Sequence, residues 1–152
     1  MKKLYTIMCL LLFCFPLRAY MQEWHYEISC AGVGVQGTYL VEVTSYGKTV
    51  ADAMAQMKKD ALHGVLFQGI TGKCYQKPLA GKPEVEQESA AFFKNFFSEN
   101  GTYKQYVVDD PSVTMTSVKM GKQYRVTKVL SVKKDLLRKY LEKEGVIKAL
   151  GF

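Results

Sequence analysis

The chain has 152 residues, with 21 lysine and arginine residues against 14 aspartate and glutamate residues, and 48% of its residues are hydrophobic. This length suits one domain, and the apolar content is sufficient for one hydrophobic core. The hydrophobicity excludes a disordered chain, and only 12 Gly and 4 Pro exclude a collagen-like one. We therefore expect a compact α+β domain.

The first 19 residues have the form of a secretory signal peptide. Lys2 and Lys3 precede a mostly apolar run over residues 4–15, and Ala19 stands where a signal peptidase would cleave. The run is shorter than the ~20 residues that a membrane-spanning helix needs. A buried N-terminal helix and a lipoprotein signal ending at Cys14 remain as alternatives. We expect a periplasmic or otherwise exported protein, and association with the outer membrane is one form of this hypothesis. Residues 20–152 are expected to form one domain.

Two cysteines remain if the signal peptide is removed, Cys30 and Cys74. An exported chain meets an oxidising compartment, where an even pair of cysteines can form one disulfide. Closing a loop of this length would stabilise the fold by about 3–4 kcal/mol. Two separate buried thiols are the alternative, because the sequence does not give the geometry of the pair.

Short runs that are apolar or that alternate apolar and polar residues predict strands. These runs cover residues 26–30, 38–46, 65–70, 103–108, 113–120 and 123–132, with a turn at Gly121-Lys122 before the last. Helical spacing predicts helices over residues 49–64, 84–100 and 135–144. This order predicts an α+β fold with a single mixed or mainly antiparallel sheet and two or three helices packed on one face.

Local signals fix the ends of the first predicted helix. Thr49 is a suitable N-cap, with Asp52 three residues later to complement the helix dipole. Gly64 is expected to end the helix, and an imidazolium at His63 would suit the helix C-terminus. In the last helix, the spacing predicts that four residues point inward, namely Leu136, Leu137, Tyr140 and Leu141.

The glycines at positions 32, 34 and 37 match the dinucleotide-binding pattern G-x-G-x-x-G. The mechanism of that motif needs a helix after the third glycine, whose N-terminus holds the pyrophosphate. The residues from Thr38 onward alternate with period two and predict a strand instead. The pattern therefore favours a glycine-rich connection between strands, and no nucleotide cofactor is expected.

Other residue patterns that could indicate a metal site or a catalytic site are also weak. His25, His63 and the two cysteines lack the spacing of a zinc site. Asp109-Asp110 precedes a proline and is typical of a turn rather than of paired catalytic carboxylates. We identify no catalytic residue, no metal site and no cofactor, which favours a non-enzymatic protein. A catalytic site assembled from distant residues remains open, because such sites are invisible in a sequence.

Three groups of residues are candidates for a partner surface, and the glycine-rich connection over residues 31–37 is the first of them. Phe92, Phe93, Phe96 and Phe97 either pack in the core or form a docking or lipid-contacting face. Residues 112–152 hold ten basic and three acidic residues, so Lys122, Arg125 and Lys128 either form a solvated face or contact an anionic envelope surface. Export argues against nucleic acid as the partner.

Three consecutive segments carry a resemblance to a known family. They are residues 41–47 (VEVTSYG), residues 51–62 (ADAMAQMKKDAL) and residues 64–67 (GVLF). A strand ending in glycine, an alanine-rich helix and a following strand are similar to the N-terminal domain of the flagellar assembly protein T and to related small envelope lipoproteins. Residues 123–129 and the closing helix also resemble the end of that module. The resemblance implies a non-enzymatic role in envelope assembly or binding, and it transfers no catalytic residue.

The sequence thus favours an exported bacterial cell-envelope domain that binds an envelope protein or an anionic envelope surface, with peripheral membrane contact as one form of this role. Two alternatives remain. One is a small secreted hydrolase with a site built from distant residues, which a deep cleft with convergent polar groups would support. The other is a carrier of an apolar ligand, in which the phenylalanine helix would line a cavity.

Overall fold

A computed structural model describes residues 23–149, and the predicted signal peptide lies outside them. The described chain forms five strands, β1 (Tyr26–Gly32), β2 (Tyr39–Gly47), β3 (Val107–Val108), β4 (Thr116–Met120) and β5 (Gln123–Val132). It also forms four α-helices, α1 (Val50–His63), α2 (Glu84–Glu88), α3 (Ala90–Phe96) and α4 (Lys134–Lys143). A π-helix (Gly64–Gln68) and a 3₁₀-helix (Thr102–Gln105) complete the elements. The predicted α+β class is confirmed.

The strands form one open sheet in the order β1-β2-β5-β3, and β4 pairs with the same edge of β5 as β3. All of these pairings are antiparallel. The register places Ile28 opposite Val43, and Val41 opposite Leu130, so these side chains share one face. This face is buried against α1, which contacts both β2 and β5.

Helix α1 begins as predicted, with a reciprocal cap. Thr49 Oγ1 accepts a hydrogen bond from the backbone N–H of Asp52 at 3.1 Å, and the Asp52 carboxylate accepts one from the Thr49 N–H at 3.2 Å. Both contacts satisfy donors that the first turn leaves free. The cap fixes where the helix leaves the end of β2.

The α-helix α1 ends before Gly64, as predicted, but Gly64 does not stop the helical path, and the strand expected over residues 65–70 is wrong. Gly64 has φ −60° and ψ −48°, and the chain continues into the π-helix. The helical path ends at Gly69 (φ +80°), a conformation that favours glycine. A glycine is needed at position 64 for another reason, because a Cβ there would lie 2.7 Å from Cδ1 of Ile28.

The strand expected over residues 103–108 is reduced to the two residues of β3. Tyr103 and Tyr106 are both buried, three positions apart, which is the period of the 3₁₀-helix that forms there. Both rings pack in the aromatic part of the core, where the ring centroids of Tyr106 and Phe96 lie 6.0 Å apart.

The phenylalanine segment packs in the core and does not form a docking face. Phe93, Phe96 and Phe97 are buried, and only Phe92 is partly exposed. Its ring lies 5.9 Å from that of Tyr140 on α4. The rings of α3 and α4 also pack against each other, and the ring centroids of Phe96 and Tyr140 lie 6.2 Å apart.

The structure differs from two further predictions about the helices. The helix expected over residues 84–100 is interrupted at Ser89 (φ −112°, ψ 30°), which separates α2 from α3. In α4, Leu137 and Leu141 are buried as predicted, but Leu136 is 54% exposed. The interruption allows α2 to bring Glu86 to the end of α1 while α3 keeps its phenylalanines in the core.

Candidate functional site

A polar cluster joins β1, α1 and α2 around the imidazole of His63. Nδ1 of His63 lies 2.6 Å from the hydroxyl of Tyr26, and Nε2 lies 3.1 Å from a carboxylate oxygen of Glu86. The ring of Trp24 stacks on the imidazole with centroids 4.0 Å apart. His63 itself is only 5% exposed. Histidine with a phenol and a carboxylate is a combination that proton-transfer sites use.

The ionisation of this cluster shows what it can do. Burial lowers the pKa of His63 to about 4, so the imidazole is neutral near pH 7, which corrects the expected imidazolium. Burial also raises the pKa of Tyr26, so its phenol keeps its proton and donates a hydrogen bond to Nδ1. Nε2 then carries the ring proton and donates to Glu86. Both ring nitrogens are occupied, so His63 has no free lone pair for a substrate proton or a metal ion.

A second buried polar group lies in the same layer, between α1 and β2. Asp60 is 1% exposed, and its two carboxylate oxygens accept hydrogen bonds from Ser45 Oγ at 2.5 Å and from Gln56 Nε2 at 2.8 Å. Burial raises the pKa of Asp60 to about 6 against the opposing effect of these hydrogen bonds. The carboxylate is fully enclosed and faces no cleft, so its contacts connect the helix to the sheet.

The residues counted as a zinc set are separated by the fold. The two cysteines are bonded to each other, His63 is held by its neighbours, and the His25 ring lies 4.6 Å from that of Tyr46. Across residues 23–149, no group of three or more His, Cys, Asp or Glu side chains could hold a metal ion.

A disulfide links Cys30, at the end of β1, to Cys74 in the loop after the π-helix, with Cα atoms 5.7 Å apart. Backbone hydrogen bonds support the same junction, since the N–H of Cys30 donates to the carbonyl of Thr71 at 2.8 Å. The bridge therefore pins a long loop to the end of the sheet. Both cysteines line a groove of about 250 Å³, together with the glycine-rich residues 32–38.

The glycine-rich residues form a tight strand connection. Thr38 donates its hydroxyl hydrogen to the carbonyl oxygen of Val35 at 2.6 Å, and Gly37 has φ +83°. A Cβ at Gly37 would lie 2.9 Å from the carboxylate of Asp135, at the start of α4. Strand β2 follows at Tyr39, so the helix that a dinucleotide site requires is replaced by a strand.

The tip of this connection is the most exposed apolar feature at the end of the sheet. Val33 is 94% exposed and Val35 is 80% exposed, and Tyr75, next to the disulfide, is 63% exposed. Sequence analysis named the glycine-rich residues 31–37 as one candidate contact surface, but it did not single out the two valines and did not include Tyr75. Two valines flanked by glycines before a strand were a usable signal, because a tight turn cannot bury them.

The basic residues proposed as a partner surface do not share one face. Lys122 and Arg125 are exposed on the β4–β5 hairpin. Lys128 is only 7% exposed, points to the helix-covered face, and donates to Asp109 at 2.6 Å, so it is not available to a partner. Strand β4 is exposed along its whole length, including the apolar side chains of Val118 and Met120.

Comparison with family models, with curated proteins and with solved structures found no match for this chain. Within the described part of the chain, none of the helices is both long enough and apolar enough to cross a bilayer.

Proposed function

We propose that this chain is an exported bacterial cell-envelope domain that acts by binding rather than by catalysis. The observation that carries the proposal is the disulfide between Cys30 and Cys74, which fixes exposed apolar residues at one end of the sheet. Disulfides persist in oxidising compartments such as the periplasm. A signal-like N-terminus followed by a disulfide-bonded domain is consistent with that destination.

The ionisable clusters support binding over chemistry. The hydrogen-bonding atoms of His63 and Asp60 are engaged by neighbouring side chains. Among residues 23–149, no buried side-chain nitrogen or oxygen lacks a hydrogen-bond partner. His63 is 5% exposed and Asp60 is 1% exposed, so both groups are also enclosed by the domain. Their contacts instead connect strands and helices within the domain.

Exposed apolar side chains favour binding as the role of this domain. Val33 and Val35 project from the end of the sheet, while Val118 and Met120 project from the β4–β5 hairpin. Exposed apolar groups of this kind occur at sites that contact proteins or membranes. The relation to the flagellar assembly protein T module stays a prediction, and its implied role in envelope assembly agrees with this proposal.

The test combines cell fractionation with thiol labelling in the native host. We expect the protein in the envelope or periplasmic fraction, with an N-terminus after Ala19 determined by mass spectrometry. Cys30 and Cys74 should react with a maleimide–polyethylene glycol reagent only after reduction. A chain that begins at Met1 in the cytosol, with both thiols reactive before reduction, would overturn the proposal. A variant with Cys30→Ser and Cys74→Ser gives the unlabelled control.

A further inference from the structure

The end of the sheet that carries the disulfide combines three segments distant in sequence. Cys74 Sγ lies 3.6 Å from the carbonyl oxygen of Gly32, which brings the loop after the π-helix to the glycine-rich connection. The hydroxyl of Tyr39 donates to Gln76 at 3.1 Å, and the Asp135 N–H donates to the carbonyl of Gly37 at 3.2 Å. The third segment, the start of α4, therefore also lies at this end.

Exposed apolar side chains concentrate on these segments. Val33 and Val35 project from the glycine-rich connection, Tyr75 from the neighbouring loop, and Leu136 from the first turn of α4, each more than half exposed. We call Val33, Val35 and Tyr75 the apolar tip. A tyrosine with adjacent aliphatic side chains is a combination suited to a membrane–water interface, where the ring is buried and the hydroxyl stays hydrated.

The charges around the apolar tip are mostly basic. Lys73 and Lys77 flank Tyr75 and are both exposed, and residues 71–83 contain no acidic residue. The connection itself contributes no charge between Glu27 and Glu42. Asp135 is the acidic neighbour at the start of α4, and it is paired with Lys134 at 2.7 Å. The rim of the apolar tip is therefore cationic and complements an anionic surface.

The shape of the apolar tip favours a lipid surface over a folded protein. A stable protein interface needs about 800 Å² on each partner, with a packed centre. Side chains that are 94% and 80% exposed, on a tight turn, project into solvent and offer only a small contact area. Such a contact can insert among lipid headgroups, where aliphatic side chains leave water and lysines approach the phosphates.

We propose that the apolar tip and its flanking lysines Lys73 and Lys77 dock the protein on an anionic phospholipid bilayer, with Val33 and Val35 inserted at the headgroup level. This inference deepens the proposed function by naming the partner of the same loop, and it rests on that function only for the compartment in which the bilayer is met. The disulfide holds the two loops together, so that the valines and the lysines approach the surface at once.

The experiment measures co-sedimentation with sucrose-loaded vesicles, using the chain in the form isolated from its host. Vesicles of phosphatidylcholine alone are compared with vesicles that also contain phosphatidylglycerol, and identical N-termini are verified in all variants. The wild-type protein should bind the anionic vesicles and dissociate as salt rises, because lysine–phosphate attraction is screened. The variant V33S/V35S should bind at least about tenfold more weakly, because two aliphatic side chains that leave water on binding are lost.

A matched variant for each change tests whether the effect belongs to the apolar tip. V118S/M120S removes exposed apolar side chains from the β4–β5 hairpin instead, and it should bind like the wild type. K73Q/K77Q should weaken binding by about fivefold for each lysine, whereas K119Q/K122Q removes the same charge from the hairpin and should have a much smaller effect. Circular dichroism and thermal unfolding verify that each variant is folded.

Fluorescence tests insertion directly. V33W should shift its emission to shorter wavelength on anionic vesicles, whereas Trp24, which packs on His63 at the opposite end of β1, should not respond.

Three results overturn the inference: absence of anion-dependent binding by the wild type, an equal loss in V118S/M120S, or an unshifted V33W emission. Crosslinking from position 33 to a purified envelope protein, without vesicle binding, would assign the loop to a protein partner and also overturn it. Because vesicle binding does not depend on export, these outcomes are distinct from failure of the proposed function.

Discussion

The phenol of Tyr26, the first residue of the sheet's edge strand β1, lies 2.6 Å from Nδ1 of His63, the last residue of α1. The opposite nitrogen of the same ring lies 3.1 Å from Glu86 on α2. One neutral imidazole thus connects a strand and two helices by directional bonds. Such a connection specifies how these elements are placed relative to one another, because each buried polar atom depends on its partner.

Replacing Tyr26 by phenylalanine should destabilise the domain by about 1–3 kcal/mol, because Nδ1 of a buried neutral imidazole loses its donor. The measurement is the free energy of unfolding in urea. Tyr46→Phe is the matched control, since the Tyr46 hydroxyl lies 3.2 Å from Glu27 on the exposed face. That change should cost less than about 0.5 kcal/mol. Equal losses in the two variants would contradict the assigned role of the Tyr26 hydroxyl.

The stability of the domain should depend only weakly on pH between about 4 and 6, because two buried groups act in opposite directions. His63 has its pKa lowered to about 4. As pH falls below 6.5, the unfolded state takes up a proton at His63 before the folded state does, so stability falls. Asp60 has its pKa raised to about 6. At Asp60 the folded state takes up a proton before the unfolded state does, so the free energy of unfolding rises as pH falls through 6.

Single substitutions should separate the two contributions. Asp60→Asn leaves the histidine effect, so the free energy of unfolding should fall by about 3 kcal/mol between pH 6.5 and 4, more steeply than in the wild type. His63→Gln leaves the aspartate effect and should reverse the slope. Urea unfolding across this pH range gives both slopes. Slopes identical to the wild-type slope in both variants would show that these groups do not titrate as assigned.

The parts of the fold that were predicted correctly are those in which one local sequence signal determines the secondary structure. The alternation along residues 123–132 gave β5, and the Thr49–Asp52 pair gave the start of α1. Residues 65–67 show the limit of this approach. Their run is buried on all sides, and a fully buried strand and a fully buried helix have the same apolar pattern.

The candidate sites were harder to predict because they depend on contacts between distant residues. Glu86 reaches His63 across 23 positions, and no sequence spacing indicates that contact. Lys128 is different, because its burial could have been predicted. It has the same parity along β5 as Val126 and Leu130, which identifies its face as the buried one. Grouping it by charge with Arg125 placed it on the wrong face.

Gly64→Ala should destabilise the domain, although alanine is normally the better residue in a helix by about 1 kcal/mol. The new Cβ would lie 2.7 Å from Cδ1 of Ile28, and overpacking of this kind costs about 1–3 kcal/mol. Ile28→Val removes that Cδ1 atom. Urea unfolding of both single variants and of the double variant forms a mutant cycle, in which Gly64→Ala should cost less when Ile28→Val is also present. Independent, additive effects would argue against the close approach.

Reduction of the Cys30–Cys74 disulfide should lower the free energy of unfolding by about 4 kcal/mol, from the chain entropy of a loop of this length. The two cysteines are 44 positions apart, and both lie in partly exposed positions that a reductant can reach. Unfolding is measured with and without reductant. The double variant Cys30→Ser/Cys74→Ser should match the reduced wild type and should not respond to reductant. A wild type that is equally stable in both conditions would contradict a stabilising bridge.

The side chain of Lys128 is 7% exposed, and its ammonium group lies 2.6 Å from the carboxylate of Asp109, on which it depends. Asp109→Asn should cost about 1.5–3 kcal/mol in the free energy of unfolding, because a buried charge loses its countercharge. Lys128→Met should cost less, since it removes the charge and keeps the apolar stem that packs beneath the helices. Lys58, which lies 3.7 Å from the same carboxylate and is 38% exposed, provides the control. Lys58→Met should change stability by less than about 1 kcal/mol. A larger loss for Lys128→Met than for Asp109→Asn would contradict the unpaired buried ammonium as the main cost of breaking this pair.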